Sequence, residues 1–154
     1  MKRLGQILIL FFIIITACGY SPLLKKEEIN FYLSEISLEG DRQVNNAILS
    51  NLKKFQKFEN GLKNYRININ SKYQKIIVDR DKNGYPKNYR IEVLTDIFID
   101  TDINNQIKKN FKKIYLMSAN TKKIKEKELE KRYKKNLSEL ISEDIALYLT
   151  NLSS

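Results

Sequence analysis

The chain has one cysteine, Cys18, and it stands where a thiol can be acylated. Met1-Lys2-Arg3 is a short basic start, Leu4 to Ile15 is an apolar run broken only by Gly5 and Gln6, and Ile15-Thr16-Ala17-Cys18 closes it. An aliphatic residue, two small residues and a cysteine form the pattern at which a signal peptide is cut and the cysteine is lipidated. The expected chemistry is diacylation of the Cys18 thiol, cleavage after Ala17, and acylation of the new amino group. A sole cysteine cannot close an internal disulfide. The apolar run is too short for a comfortable transmembrane helix, which needs about 20 apolar residues. An uncleaved anchor with an incidental cysteine is the alternative. Three acyl chains hold a protein on a bilayer more firmly than one, at about 0.8 kcal/mol per buried CH₂.

Cations are the second chemical resource. Lys and Arg number 28 against 18 Asp and Glu, for a formal charge of +10. Lys2 and Arg3 leave with the signal, and most of the surplus stays in the mature chain. Lys108, Lys109, Lys112 and Lys113 form one group, and Lys122, Lys123, Lys125 and Lys127 another. Arg80, Lys82, Lys87 and Arg90 gather around the turn Asp81 to Pro86 and are the candidate contacts for an anionic glycolipid. Such a surplus suits an anionic lipid head group, an acidic protein face or nucleic acid. A membrane address outside the cytoplasm disfavours nucleic acid. The plain alternative is a solvated, lysine-rich surface.

Catalytic parts are missing. There is no histidine, so the commonest general base and metal ligand are absent. The only thiol is committed to lipid, and none of the five glycines lies in a phosphate-cradling pattern. The carboxylate pairs Asp79/Asp81, Asp100/Asp102 and Glu143/Asp144 read as solvated acids. The expectation is a non-enzymatic protein with no cofactor and no metal, although an Asp/Glu-only hydrolase stays open.

These residues need elements to position them. Residues 1–17 read as the cleaved signal, 18–33 as a lipidated entry segment, and 34–154 as one domain. Glu35 to Glu39 alternates as a half-buried strand, and Gly40-Asp41 stops it and offers Asp41 as a helix N-cap. Val44, Ala47, Ile48, Leu52 and Phe55 make one face of a helix from Arg42 to about Lys57, ended near Asn60-Gly61. Tyr65 to Tyr73 is a period-two strand whose alternation slips near Ile76-Ile77-Val78, as at a bulge or in a strand buried on both faces. Tyr89 to Asp100 is the clearest strand, Asp102 to Asn105 a turn, and Lys109 to Ser118 a third consecutive strand. The last thirty residues change to helical spacing, from about Thr121 to Leu149. Leu129, Tyr133, Leu137, Leu140, Ile141, Ile145, Tyr148, Leu149 and Leu152 form their stripe, and the N-terminal part is expected to be exposed and charged. The order strand-helix-strand-strand-strand-helix predicts an α+β two-layer sandwich. Two helices pack on a mostly antiparallel four-stranded sheet, with the place of the first strand open.

The leader resembles those of bacterial lipoproteins, in which Asp after the cysteine favours retention at the inner membrane. Gly19 in that position points to the outer membrane. Cys18-Gly19-Tyr20-Ser21-Pro22-Leu23-Leu24 is similar to the start of alphaproteobacterial members of the LPS-assembly lipoprotein LptE family. The strand, Gly-Asp turn and helix of Ile36 to Leu52, and the charged-to-apolar final helix Lys127 to Leu152, resemble the same family. The resemblance implies a lipid-anchored, periplasm-facing protein of the outer membrane. It would plug the LptD-like β-barrel of the LPS translocon, assist its assembly and contact lipopolysaccharide. It transfers no binding residue to this chain, and the surplus of lysine over arginine departs from bidentate phosphate recognition. A lipoprotein subunit of a phospholipid transport system is the alternative.

Overall fold

The period-two runs fold as strands and the 3.6-period runs as helices. The computed structural model describes residues 29–57, 62–101 and 106–153. The signal, Cys18, most of the entry segment, Asn60-Gly61 and the Asp102–Asn105 turn lie outside the described residues.

Strand β1 (Phe31–Gly40) leads into helix α1 (Arg42–Leu52), which tightens into a 3₁₀ turn over Lys53–Phe55. Strands β2 (Lys63–Arg80), β3 (Pro86–Thr101) and β4 (Gln106–Ser118) follow, and helix α2 (Lys123–Ser153) ends the chain. The sheet order is β1-β2-β3-β4. The β2–β3 and β3–β4 pairs are antiparallel, as the short connections require. The position left open by the sequence is settled: β1 is an edge strand, parallel to β2.

Strand β1 begins earlier than the alternation suggested. Phe31 and Leu33 lie in it, fully buried, so the end of the entry segment belongs to the domain core. The polar–apolar alternation of this strand is interrupted by a register shift between Leu33 and Glu35, which hid its first half from a period-two reading. The slip read near Ile76–Val78 is likewise a register irregularity between Ile77 and Asp79.

Gly40 turns the chain from sheet to helix. Its φ is 89°, and a Cβ there would lie 2.0 Å from the Ser71 carbonyl oxygen, so only glycine fits the close approach. The Asp41 amide then donates to that same carbonyl at 2.9 Å. Asp41 caps α1 as expected, its Oδ1 accepting from the Gln43 and Val44 amides at 2.9 and 3.0 Å. Val44, Ile48 and Leu52 bury the inner face of α1, and Phe55 follows in the 3₁₀ turn.

Both helices cover one face of the sheet. That face carries Tyr65, Ile67 and Ile69 from β2, Ile91, Val93, Ile97 and Ile99 from β3, and Phe111 and Met117 from β4. Leu137, Ile141, Ile145 and Leu149 of α2 close the core from above. Each such side chain contributes about 1.5–3 kcal/mol by leaving water. Leu140, read as part of the stripe, is 45% exposed instead. It lies one residue before Ile141, a third of a turn off the buried line.

Candidate functional site

The β2–β3 hairpin places the basic turn at one end of the sheet. Asp81 builds it: its Oδ1 accepts from the Asn83 and Tyr85 amides, each at 2.9 Å, and its own amide donates to the Tyr85 carbonyl at 2.8 Å. Gly84 takes φ 82°. Asp81 is therefore a solvated acid that also forms the turn. Arg80 Nη1 donates to the Gly84 carbonyl at 2.8 Å, so the guanidinium braces the tip. Lys82 and Lys87 are exposed. Tyr85, 69% exposed, projects beside them.

Arg90 is separated from these three. It lies on the face of the sheet opposite the helices, where its Nε meets Glu92 Oε1 at 2.6 Å. Lys112 Nζ reaches the other Glu92 oxygen at 3.1 Å. Glu92 is buried beneath the two cations, so part of their charge is neutralised within the fold. Around them the same face presents Ile76 and Leu116 in register with Arg90, and Ile114 in register with Glu92. Ile114 and Leu116 are exposed there.

The fold brings a second cationic group to the hairpin end. β4 runs back toward the hairpin, so Ser118 pairs with Asn88 and the Ala119 amide donates to the Lys87 carbonyl at 2.8 Å. α2 starts there, and Lys122 just before it and Lys123 and Lys125 on its first turn are exposed. Two basic segments some forty residues apart in sequence thus share one end of the molecule. The spacing of the cations along the chain does not show this meeting; it follows from the antiparallel meander, whose third strand must end beside the β2–β3 hairpin.

Beneath this end the helix–sheet interface is ionic. Lys75 Nζ lies 3.0 Å from Glu126 Oε1 and 2.9 Å from Glu130 Oε2, and 4.1 Å from the Tyr89 ring centre. The Tyr73 hydroxyl donates to Glu130 Oε1 at 2.7 Å. One turn further along α2, Lys134 Nζ pairs with Asp41 Oδ2 at 2.7 Å and lies over the Tyr73 ring. The N-terminal part of α2, expected to be exposed, therefore buries Glu126 and Lys134. A hydropathy stripe misses such residues because paired charges replace apolar side chains.

The electrostatics follow the geometry. Burial would raise the Glu126 carboxyl, but the Asn120 amide and the Lys75 ammonium outweigh it and hold it below its ordinary value. Burial also acts on Glu130, and Lys75 with the Tyr73 hydroxyl lowers it. Against its own burial, Lys75 is raised by the two carboxylates. Tyr73 is pushed far up by burial and by Glu130. Each group is held in the charge state its partner needs, which is the signature of a structural clamp. Among the described residues, no three His, Cys, Asp or Glu side chains converge as a metal site would require. No described helix is long and apolar enough to cross a membrane.

The basic end can attract phosphates or carboxylates with lysine point charges, free to project from a braced turn.

No protein-family model matches the chain, and no curated protein matches it in sequence. Solved structures do match its fold. A minor lipoprotein from Acinetobacter baumannii is similar with a TM-score of 0.54 at 10% identity, over 79% of this chain and 93% of that one. An uncharacterized lipoprotein B from Nitrosomonas europaea is similar with a TM-score of 0.55 at 9% identity, over 87% of this chain and 92% of that one. A rare lipoprotein B from Shewanella oneidensis has a TM-score of 0.47 at 14% identity, over 78% of this chain and 99% of that one. At these identities the likeness is one of fold: this chain has an α+β architecture that bacterial lipoproteins share.

Proposed function

We propose that this chain is an outer-membrane lipoprotein, anchored through Cys18, that plugs the LPS-translocon β-barrel and assists its assembly. In this reading the basic end meets the phosphates of lipopolysaccharide in transit. The observation that carries it is the acylation pattern at the only cysteine, set ahead of a domain whose architecture occurs in bacterial lipoproteins.

The layout supports the reading. Thirteen residue steps separate Cys18 from Phe31, a tether of up to about 45 Å when extended. It enters at the start of β1, which pairs with the start of β2. The basic hairpin is at the far end of β2, whose 18 residues span about 60 Å. The start of β1 and the basic hairpin are thus at opposite ends of the sheet. A rigid two-layer domain with a polar, charged surface suits the polar interior of a wide barrel.

The test begins with Cys18→Ala in cells. Signal cleavage and outer-membrane fractionation should both be lost, and normal processing after Ala17 would sink the tether. The lipidated protein should then co-purify with a β-barrel, and its depletion should lower the amount of assembled barrel and admit large antibiotics. Unchanged barrel assembly after depletion would favour a subunit of a phospholipid transport system.

A further inference from the structure

The outer surfaces of α1 and α2 meet in a groove of about 670 Å³. One wall is Gln43, Asn46, Ala47 and Ser50 of α1. The other is α2, with Glu128, Lys131, Arg132, Lys134 and Lys135. A second hollow of about 420 Å³ continues it along α2, shares Glu128 and Arg132 with it, and adds Lys125.

The charge of this groove is unbalanced. α1 contains no acidic residue, its N-cap Asp41 is taken up by Lys134, and Glu128 is the single acid in the lining against Lys131, Arg132, Lys134 and Lys135. Lys134 is committed to Asp41 and Lys135 reaches Glu139 at 3.6 Å. Among the described residues, Lys125, Lys131 and Arg132 have no carboxylate at ion-pair distance. The neutral wall is low, because Ala47 and Ser50 are small and one turn apart. The stems of the lysines add apolar surface to the opposite wall.

We infer that this groove docks an acidic amphipathic helix of a protein partner. Two packed helices present a furrow into which a third can lie. Lys131 and Lys135 are one helical turn apart and Lys125 and Arg132 two turns, about 10 Å, which matches glutamates at i, i+3 or i+4, and i+7 on a facing helix. The partner's apolar stripe would rest on Ala47 and the lysine stems. A flat head-group surface would touch the rims and leave the furrow empty, so the shape favours a polypeptide over a bilayer. The inference does not depend on the membrane address of the chain.

The test uses the full chain purified in detergent and a labelled Glu/Leu/Ala helical peptide with glutamates one and two turns apart. The peptide should bind, and its glutamine counterpart should not. Lys131→Glu with Arg132→Glu should weaken binding at least about tenfold, since reversed charges repel as well as fail to attract. Lys63→Glu with Lys72→Glu, the same charge change on β2, should alter it less than about twofold if the contact is local. Ser50→Trp should fill the furrow and weaken binding with no change of charge. Circular dichroism should show all variants folded, since each substituted side chain is exposed. Failure of the acidic peptide to bind, equal losses from the two charge-reversed pairs, or indifference to Ser50→Trp would each overturn the inference. Sensitivity of phosphatidylglycerol vesicle binding to Lys131→Glu/Arg132→Glu, without peptide binding, would assign the surface to lipid instead.

Discussion

Replacing Lys75 with methionine removes one charge from the ionic clamp and keeps most of the side-chain volume. The size of the effect follows from burial. An exposed pair contributes under about 1 kcal/mol, whereas removing one partner of a fully buried pair costs about 3–5 kcal/mol. This clamp lies between those limits. The Glu126 side chain is only 6% exposed, but after the change it still accepts from the Asn120 amide at 3.1 Å and meets Lys123 at 3.6 Å. Glu130 is 26% exposed and keeps the Tyr73 hydroxyl. The expected loss is about 2–3 kcal/mol, or about 10 °C in Tm for a domain of this size. Urea unfolding followed by circular dichroism measures it. The pH dependence has a definite sign. Glu126 and Glu130 are depressed below 4.5, so their contribution is complete above that value and is lost as pH falls through the lower folded values. Lys75 is raised above 10.5, so its contribution is complete below that value and is lost only as pH rises through the still higher folded value. The gap between parent and variant should therefore be flat from about pH 6 to pH 9 and shrink in acid below about pH 4. Adding Glu126→Gln to Lys75→Met should recover about 1 kcal/mol by removing the stranded charge. A gap under about 1 kcal/mol at pH 7, or one that persists unchanged in acid, would refute the clamp and make these pairs surface ornament.

The two described glycines with positive φ should respond differently. Gly40→Ala places a Cβ against the Ser71 carbonyl and should cost about 3 kcal/mol or more, read as a lowered urea midpoint or insoluble protein. Gly84→Ala meets open space and should cost only about 1 kcal/mol, for φ alone. Changing Arg80, Lys82, Lys87 and Arg90 together to Gln should reduce binding of purified lipopolysaccharide at low salt. The loss should come mainly from Lys82 and Lys87, because Arg80 braces the turn and Arg90 is paired with Glu92. Equal affinity of parent and quadruple variant in a lipopolysaccharide titration would move the contact to Lys122, Lys123 and Lys125.

By itself the sequence determined the local structure. Alternating runs gave four strands, the first only in its second half, Asp41 declared its cap, and the last helix followed from spacing uninterrupted by proline or glycine. Each of these is decided within a few residues by backbone hydrogen bonding and by which face is apolar. The proposed acylation of Cys18 rests on an equally local signal, a linear pattern of residues 15–18. Other features waited for tertiary structure because they join distant segments. The parallel pairing of β1 with β2 depends on the α1 crossover, and the first half of β1 is hidden by its own register shift. The separation of Arg90 from the turn, and its pairing with Glu92 and Lys112, depends on which face of the sheet each side chain takes. Lys75, Glu126 and Glu130 read as ordinary surface charges, since a buried ion looks in sequence like a solvated one. Only the approach of its partner, fifty residues away along the chain, makes its burial tolerable.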